Sequence, residues 1–158
     1  MPDWVVPAAG LSGALLVAIA NYLVQRWRYR LDRLSNSVDH FCQEINDVAD
    51  LSSMYWLLDL SKPSDHSEAN AQTIETQLVG RQVRLQSLIL AIAAFDRRII
   101  LTRTEILLID FFEAITGGDF KVSKRVASAE RAQQAQSIAA QINGELRHAF
   151  SLRSRLWR

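Results

Sequence analysis

The sequence is poor in the residues that build covalent or metal-dependent sites. It has one cysteine, Cys42, and three histidines among 158 residues. A single cysteine excludes an internal disulfide and a thiolate-rich zinc site, so we interpret Cys42 as a packing residue. The motifs G-x-S-x-G, P-loop, H-E-x-x-H and C-x-x-C are absent. We therefore expect no cofactor, no bound metal and no enzymatic activity.

The chain also lacks an excess of charge of either sign. Its 18 basic and 17 acidic side chains give a net charge of +1. Nucleic-acid-binding domains usually carry a basic surplus, so we do not expect a nucleic-acid partner. The length is that of about one domain, which can still bury a modest core when the first thirty or so residues are set aside.

Charged residues are missing altogether from the segment Trp4–Val24. At 1.5 Å per residue, this run of about twenty residues matches a hydrocarbon layer of about 30 Å, so it predicts a transmembrane helix. A cleaved signal peptide is the first alternative, because Ala18-Ile19-Ala20 resembles a cleavage site, but a signal peptide carries its positive charge before the apolar run. A buried helix of a soluble protein is the second alternative, although such helices seldom run this long without a polar face.

The charges that flank this segment predict its orientation. Arginines follow it at positions 26, 28, 30 and 33, whereas only Asp3 precedes it. The positive-inside rule then places the amino terminus outside and the remainder in the cytoplasm. We expect a single-pass protein of the inner (plasma) membrane, with residues 1–27 as the transmembrane anchor and residues 28–158 as a cytoplasmic domain.

Beyond the arginines, apolar residues alternate three and four positions apart, as in the a and d positions of a coiled coil. No proline or glycine lies between Gly13 and Lys62, so we expect the membrane helix to continue as a rod reaching on the order of 45 Å past the bilayer. The anchor also carries a stripe of small residues, which either pairs with a second copy or faces lipid. The predicted oligomer interface comprises Gly10, Ala14, Ala18, Leu31, Leu34, Val38, Phe41, Ile45, Val48, Tyr55 and Trp56.

Three further helices are predicted. Lys62-Pro63-Ser64-Asp65 forms a turn, because proline excludes the helical conformation from the residue before it. The second helix spans about Ser67 to Arg98, the third spans Arg103 to Thr116 after a capping box, and the fourth starts near Ser123. The apolar residues predicted to point inward are Ile74, Leu78, Leu85, Leu88, Ile92 and Phe95 on the second helix and Val126, Ile138, Ile142, Leu146 and Phe150 on the fourth.

These elements predict an all-α protein in which one N-terminal transmembrane helix continues into a cytoplasmic antiparallel bundle. The bundle has about four helices and coiled-coil character, since short loops make consecutive helices antiparallel. Counting the reversals places Asp96–Leu101 and the carboxyl terminus near the membrane. There the basic and apolar terminal residues either contact anionic headgroups or form a solvated tail. The predicted membrane-surface contacts are Arg26, Arg28, Arg30, Arg153, Arg155, Trp157 and Arg158.

Arg81 departs from the apolar pattern of the second helix. In an antiparallel hairpin it lies across from the segment Glu44 to Asp47, which predicts a structural ion pair. Alternatively, Arg81 and Arg84, one turn apart, present their guanidinium groups to a small anionic ligand such as a nucleotide. The sequence leaves both interpretations open.

Two weaker site signals have simpler explanations. Glu145 and His148 form half of the E-x-x-H arrangement of a di-iron bundle, and we interpret both as surface residues because the second half is missing. The segment Thr116-Gly117-Gly118-Asp119 resembles an anion-binding turn, but we interpret it as a glycine pair that ends the third helix.

The resulting functional hypothesis is a self-associating scaffold or accessory subunit at the inner membrane. Its expected partners are the lipid bilayer, further copies of the chain and a cytoplasmic protein. The alternative is a ligand-gated, nucleotide-responsive oligomeric membrane effector of the kind used in bacterial antiphage defence. An enzyme ranks third, because no reactive group has a suitably spaced companion.

Overall fold

The protein is all-helical in a computed structural model that describes residues 5–61, 65–95 and 102–155. Four helices occupy these ranges, and no β-strand occurs in them: α1 (Val5–Leu57), α2 (Asp65–Phe95), α3 (Thr102–Thr116) and α4 (Ala129–Arg155). The chain divides into two compact units, Met1–Ser35 and Asn36–Arg158. The first unit contains the amino-terminal part of α1, and the second contains the helical bundle.

In the first unit, α1 exposes an apolar surface. It begins at Val5 and continues without a break to Leu57, as its lack of internal proline and glycine beyond Gly13 predicts. Arg26, Arg28 and Arg30 are exposed. The exposed large apolar side chains that precede these arginines are Leu15, Leu16, Val17, Ile19, Tyr22, Leu23 and Val24.

Hydrogen bonds and ion pairs establish that α1 runs antiparallel to α2 and to α4. As the residue numbers of the bonded positions decrease along α1, those on its partner helix increase, as they do between two helices that run in opposite directions. The same reversal relates α3 to α4. The bonded pairs are Tyr55–Glu75 (2.8 Å) and Glu44–Arg81 (3.3 Å) for α1–α2, Asp50–Gln136 (2.8 Å) and Asn46–Asn143 (2.7 Å) for α1–α4, and Arg103–Glu145 (3.2 Å) and Gly117–Arg131 (3.0 Å) for α3–α4.

All four helices contribute to the core of the bundle. On α4 the buried face is rich in alanine, which lets that helix approach its neighbours closely. The largest fully buried side chains are Trp56, Tyr55, Phe41, Phe111, Ile45, Leu78, Leu85, Ile92, Ile115, Ile142 and Leu146.

The apolar residues spaced three and four positions apart on α1 do form a buried face. The prediction that this face is an oligomer interface is not supported. Helices of the same chain cover it, so a single folded chain does not offer these side chains to a second copy. The predicted interface residues that are buried in the chain are Leu34, Val38, Phe41, Ile45, Val48, Tyr55 and Trp56. Leu31 is half-buried and Ala18 is exposed. The side chains of Gly10 and Ala14 lie outside the described part of the chain.

Helix boundaries agree with the predictions for α3 within one residue and for α2 at its start within two. The predicted turn at 62–64 and the predicted junction at 96–101 fall outside the described residues. Of the α2 residues predicted to point inward, Ile74, Leu78, Leu85 and Ile92 are buried. The prediction is wrong for Phe95, which is exposed at the last position of the helix, and Leu88 is only half-buried.

The predicted start of the fourth helix near Ser123 is wrong, because α4 begins at Ala129. Val126, predicted to point inward, is 69% exposed, while its neighbour Arg125 is buried. Ser128 caps the helix, since its Oγ accepts the N–H of Arg131 at 3.4 Å. The hydrophobic pattern favoured Val126, but the loop turns the adjacent arginine into the bundle instead.

One helix among the described residues is long and apolar enough to cross a membrane, the stretch His66–Phe95 of α2. Core helices of soluble proteins have the same length and composition. Leu78 and Leu85 are fully buried, and Arg81 is bonded to Glu44 of α1. These contacts assign α2 to the bundle. The predicted anchor Trp4–Val24 begins outside the described residues.

Candidate functional site

A cluster of charged residues joins α1 to α2 around Glu44. The Glu44 side chain is 5% exposed, and its two carboxylate oxygens contact Arg81 Nη1 at 3.3 Å and Arg84 Nε at 3.4 Å. Arg81 Nη1 also lies 3.5 Å from Asp47 Oδ2, and Arg84 Nη2 lies 3.1 Å from His40 Nε2. The structure thus places Arg81 against the segment that the antiparallel register indicated.

The geometry of this cluster bears on the two interpretations of Arg81 and Arg84. Two carboxylates, Glu44 and Asp47, face the two guanidinium groups, so the pair has no surplus positive charge for an anion. Glu44 bridges both arginines through separate oxygens. The arrangement is therefore suited to holding α2 against α1.

Glu44→Gln should lower the free energy of unfolding by about 1–2 kcal/mol, because it removes a buried charge that two arginines satisfy. The estimate is modest since both arginines are partly exposed and screened by water. Asp47→Asn is the matched control, because Asp47 is exposed and makes one long contact. Urea denaturation at low and high salt measures both variants. An equal loss in both would contradict a special role for Glu44.

A second cluster fastens the loop between α3 and α4 to the end of α1. Backbone N–H groups of Leu60 and Ser128 donate to the carbonyls of Arg125 (2.9 Å) and Trp56 (2.8 Å), respectively. Arg125 Nη2 donates to the carbonyl of Tyr55 at 2.5 Å. A cation there is favourable because the last carbonyls of a helix carry partial negative charge. The last turn of α1 has no basic residue of its own, so Arg125 supplies the charge.

Arg125 is held mainly by aromatic faces. Its guanidinium carbon lies 3.8 Å from the centre of the Tyr55 ring and 5.0 Å from that of Trp56. Its Nε and Nη1 have no hydrogen-bond partner among the described residues. Cation–π attraction is strongest when both groups are desolvated, as they are here. Sequence reasoning missed this residue, because an arginine next to Val126 gave no periodic signal.

Tyr55 connects three segments through its hydroxyl group. The hydroxyl donates to Glu75 Oε1 at 2.8 Å and accepts the backbone N–H of Lys121 at 2.9 Å. Lys121 has a positive φ of 67°, a conformation that non-glycine residues rarely adopt. Burial raises the pKa of Tyr55 to about 12, and the hydrogen bond to Glu75 also raises it.

Stability should therefore decrease between pH 10 and pH 12. Below pH 10 Tyr55 is neutral in both the folded and the unfolded chain, so its contribution to the free energy of unfolding is fully present. Above the pKa of about 10 of an unfolded tyrosine, mainly the unfolded chain ionises, and about 2 kcal/mol is lost by pH 12. Tyr55→Phe should not show this loss of stability. Comparison of the two chains therefore separates the ionisation of Tyr55 from that of the lysines. Urea denaturation across this pH range, with tyrosinate absorbance, measures the effect. Identical pH profiles for both chains would contradict it.

The glycine pair after α3 ends that helix, as predicted. The N–H of Gly117 bonds to the carbonyl of Glu113 at 2.8 Å, and Gly118 has a positive φ of 61°. Arg131 of α4 donates to the carbonyl of Gly117 at 3.0 Å. Arg131 thus neutralises the end of α3 as Arg125 does that of α1.

A groove of about 250 Å³ lies beside this cluster. Its lining includes two carboxylates, Glu68 and Glu75, and a single lysine, Lys121. This balance disfavours an anionic ligand such as a nucleotide. The lining residues are Leu60, Glu68, Ala71, Gln72, Glu75, Lys121, Val122 and Ser123.

The remaining predicted site residues are separate from these clusters. Glu145 pairs with Arg103 at 3.2 Å, and His148 is exposed. The described residues contain no group of three or more potential metal ligands. The side chains of Arg153 and Arg155, together with Trp157 and Arg158, lie outside the described part of the chain.

Exposed apolar side chains occur on the outer faces of two helices of the bundle. Ile106 and Ile109 lie one turn apart on α3, and both are exposed. Val79, Val83 and Leu90 are exposed on α2. Such side chains in groups are typical of surfaces that contact another protein or a membrane.

Known proteins offer no relative from which to read the use of these surfaces: no family model, no curated protein and no solved structure matches the chain.

Proposed function

We propose that the protein is a single-pass membrane-anchored helical scaffold or accessory subunit, with its bundle on the cytoplasmic side of the plasma membrane. The observation that carries the proposal is the exposed apolar surface of α1 from Leu15 to Val24, which ends at the arginines. The same helix then continues into the bundle.

The exposed part of α1 has the properties of a lipid-facing helix. Each fully buried large apolar side chain is worth about 1.5–3 kcal/mol, so leaving seven of them in water is strongly unfavourable. Tyr22 lies near the arginines, where aromatic side chains favour the membrane interface. The exposed arginines then suit anionic headgroups, which favours the cytoplasmic placement of the bundle.

A binding role rather than catalysis is favoured by the way the bundle uses its polar groups. Arg81 and Arg84 satisfy Glu44, Arg125 and Arg131 satisfy helix ends, and Tyr55 joins three segments. These groups all act within the chain. The exposed apolar residues of α2 and α3 have no such use, and they offer contact area to a protein partner.

The nucleotide-responsive effector is the weaker proposal. It depends on Arg81 and Arg84, and their two carboxylate partners leave no surplus charge. A shift in melting temperature of the purified chain upon addition of cyclic or linear nucleotides would support it.

Purification of the full chain from membranes in mild detergent tests the leading proposal. Measurement of the assembly mass and identification of co-purifying proteins should show more than one copy, a protein partner or both. Alkaline extraction of the membranes serves as the control for integral insertion. A monomer without any co-purifying protein would overturn the scaffold proposal, even if the chain is membrane-bound.

A further inference from the structure

The outer face of α2 carries a seven-residue repeat that the bundle does not use. Residues on this face alternate four and three positions apart over most of the helix, and all of them are exposed. We call this face the outer stripe. Its members are Ala69, Thr73, Thr76, Gly80, Val83, Ser87, Leu90 and Ala94.

The outer stripe is uncharged and mostly narrow. Val83 is 59% exposed and Leu90 is 69% exposed, while the other members have small side chains. Gly80 has no atom of another residue near the position of a β-carbon. A second helix can therefore approach closely, with Val83 and Leu90 as the apolar contacts.

The hydroxyl groups of the outer stripe are already satisfied within α2. Thr73 Oγ1 donates to the carbonyl of Ala69 at 2.9 Å, Thr76 Oγ1 to that of Gln72 at 2.9 Å, and Ser87 Oγ to that of Val83 at 3.1 Å. Burying a hydroxyl group is costly when its donor has no partner. These hydrogen bonds remove that penalty, so the stripe can lose its water without a partner that offers acceptors.

We propose that the occupant of the outer stripe is the α2 helix of a second copy of this chain, packed in parallel. A helix whose contact residues repeat every seven positions stays in contact along its length only with a helix that has the same repeat. The α2 helix of a second copy has that repeat. An uncharged face also matches itself, whereas a charged partner helix would lose hydration without a counter-charge.

The parallel direction follows from where the two larger apolar members of the stripe lie. Val83 and Leu90 are both in its carboxyl-terminal half, so a parallel pair brings each of them against its own counterpart, whereas a fully overlapping antiparallel pair would set them against small residues. The self-pairing itself rests on the proposed function of a self-associating membrane protein. Lipid is a poorer occupant, because Arg81 and Arg84 belong to the same turns of α2 and are bonded to Glu44. These bonds keep the helix in the bundle.

The expected strength of this pair agrees with a membrane-anchored protein. The stripe is about 39 Å long at 1.5 Å per residue, and pairing of such helices buries on the order of 1,000 Å², which is about the minimum for a biological interface. Confinement to a bilayer raises the effective concentration of the second copy. Pairing should therefore be stronger in membranes than in dilute detergent.

Disulfide formation in native membranes tests the proposal on the full chain. Val83→Cys and Leu90→Cys should each give about tenfold more oxidised dimer than Gln141→Cys, an exposed control on α4, because paired cysteines must bring their Cα atoms within about 7 Å. The native Cys42 is buried, and burial raises the pKa of its thiol, so it should not contribute. Equal cross-linking at all three positions would overturn the proposal.

Charge introduction provides the second measurement. Val83→Glu combined with Leu90→Glu should convert the purified assembly to a smaller one, whereas Gln134→Glu combined with Gln141→Glu on α4 should leave its mass unchanged. An oligomer that survives Val83→Glu with Leu90→Glu overturns this interface but leaves the scaffold proposal intact. If the thiol introduced by Val83→Cys is protected from a water-soluble maleimide but forms no disulfide, self-pairing is overturned and a lipid or a different protein is indicated. A monomer without a partner contradicts both proposals.

Discussion

Trp56→Ala should lower the free energy of unfolding of the bundle by about 3–5 kcal/mol, as expected when a large aromatic side chain is removed from a packed interior. Trp56 is 1% exposed and meets Tyr55 edge to face at 5.2 Å between ring centres. The guanidinium carbons of Arg125 and Arg131 lie 5.0 Å and 4.9 Å from its ring. The substitution removes all three contacts at once, so it affects α1, the loop and α4 together.

Urea denaturation of the full chain in mild detergent, followed by helical circular dichroism, measures this loss. Met54→Ala is the control, because Met54 lies two residues away on α1 and is 60% exposed. Its effect should remain within about 0.5 kcal/mol. Similar midpoints for both variants would show that Trp56 does not organise this end of the bundle.

Leu15→Arg should remove most of the chain from the membrane-integrated fraction. Leu15 lies near the middle of Trp4–Val24, and its side chain is exposed. Replacing leucine with arginine at the centre of a membrane helix changes the insertion free energy by about 3 kcal/mol, or roughly 150-fold in the equilibrium. Resistance of the membrane-bound chain to alkaline carbonate measures insertion.

The position of the new charge provides the control for this substitution. Tyr22→Arg places the same side chain near the arginines that follow the segment, where a long basic side chain reaches the interface. It should therefore retain most of the insertion, as should Leu15→Ala. Wild-type insertion of Leu15→Arg would contradict the assignment of this segment as the anchor.

The sequence predicted the existence of all four helices, three of them from apolar residues that recur with the helical period and α3 from the capping box at its start. It also located Arg81 opposite Glu44, since an antiparallel hairpin fixes which residues face each other. Periodicity shows that a face is buried but not which helix covers it. For that reason Phe41 and Ile45, predicted to contact a second copy, are instead buried in their own bundle.

The loop between α3 and α4 was the least predictable part. Val126 was predicted to be a core residue, yet it is exposed, and its neighbour Arg125 is buried in the bundle. Arg125 is held there by the aromatic ring and the backbone carbonyl of Tyr55, which lies 70 residues earlier at the end of α1. Ser128 was a recognisable signal, because a serine before Ala129 and Glu130 is typical of a helix start.

The distance in sequence between Tyr55 and Arg125 has a consequence for biosynthesis. Protein chains are made at about 5–20 residues per second, so a ribosome needs roughly 4–14 s to add the 70 residues between them. During that interval the aromatic end of α1 has emerged, but the arginine that covers it has not yet been made. Nascent chains stalled before Arg125 should therefore recruit chaperones that recognise aromatic segments, and released full-length chains should not.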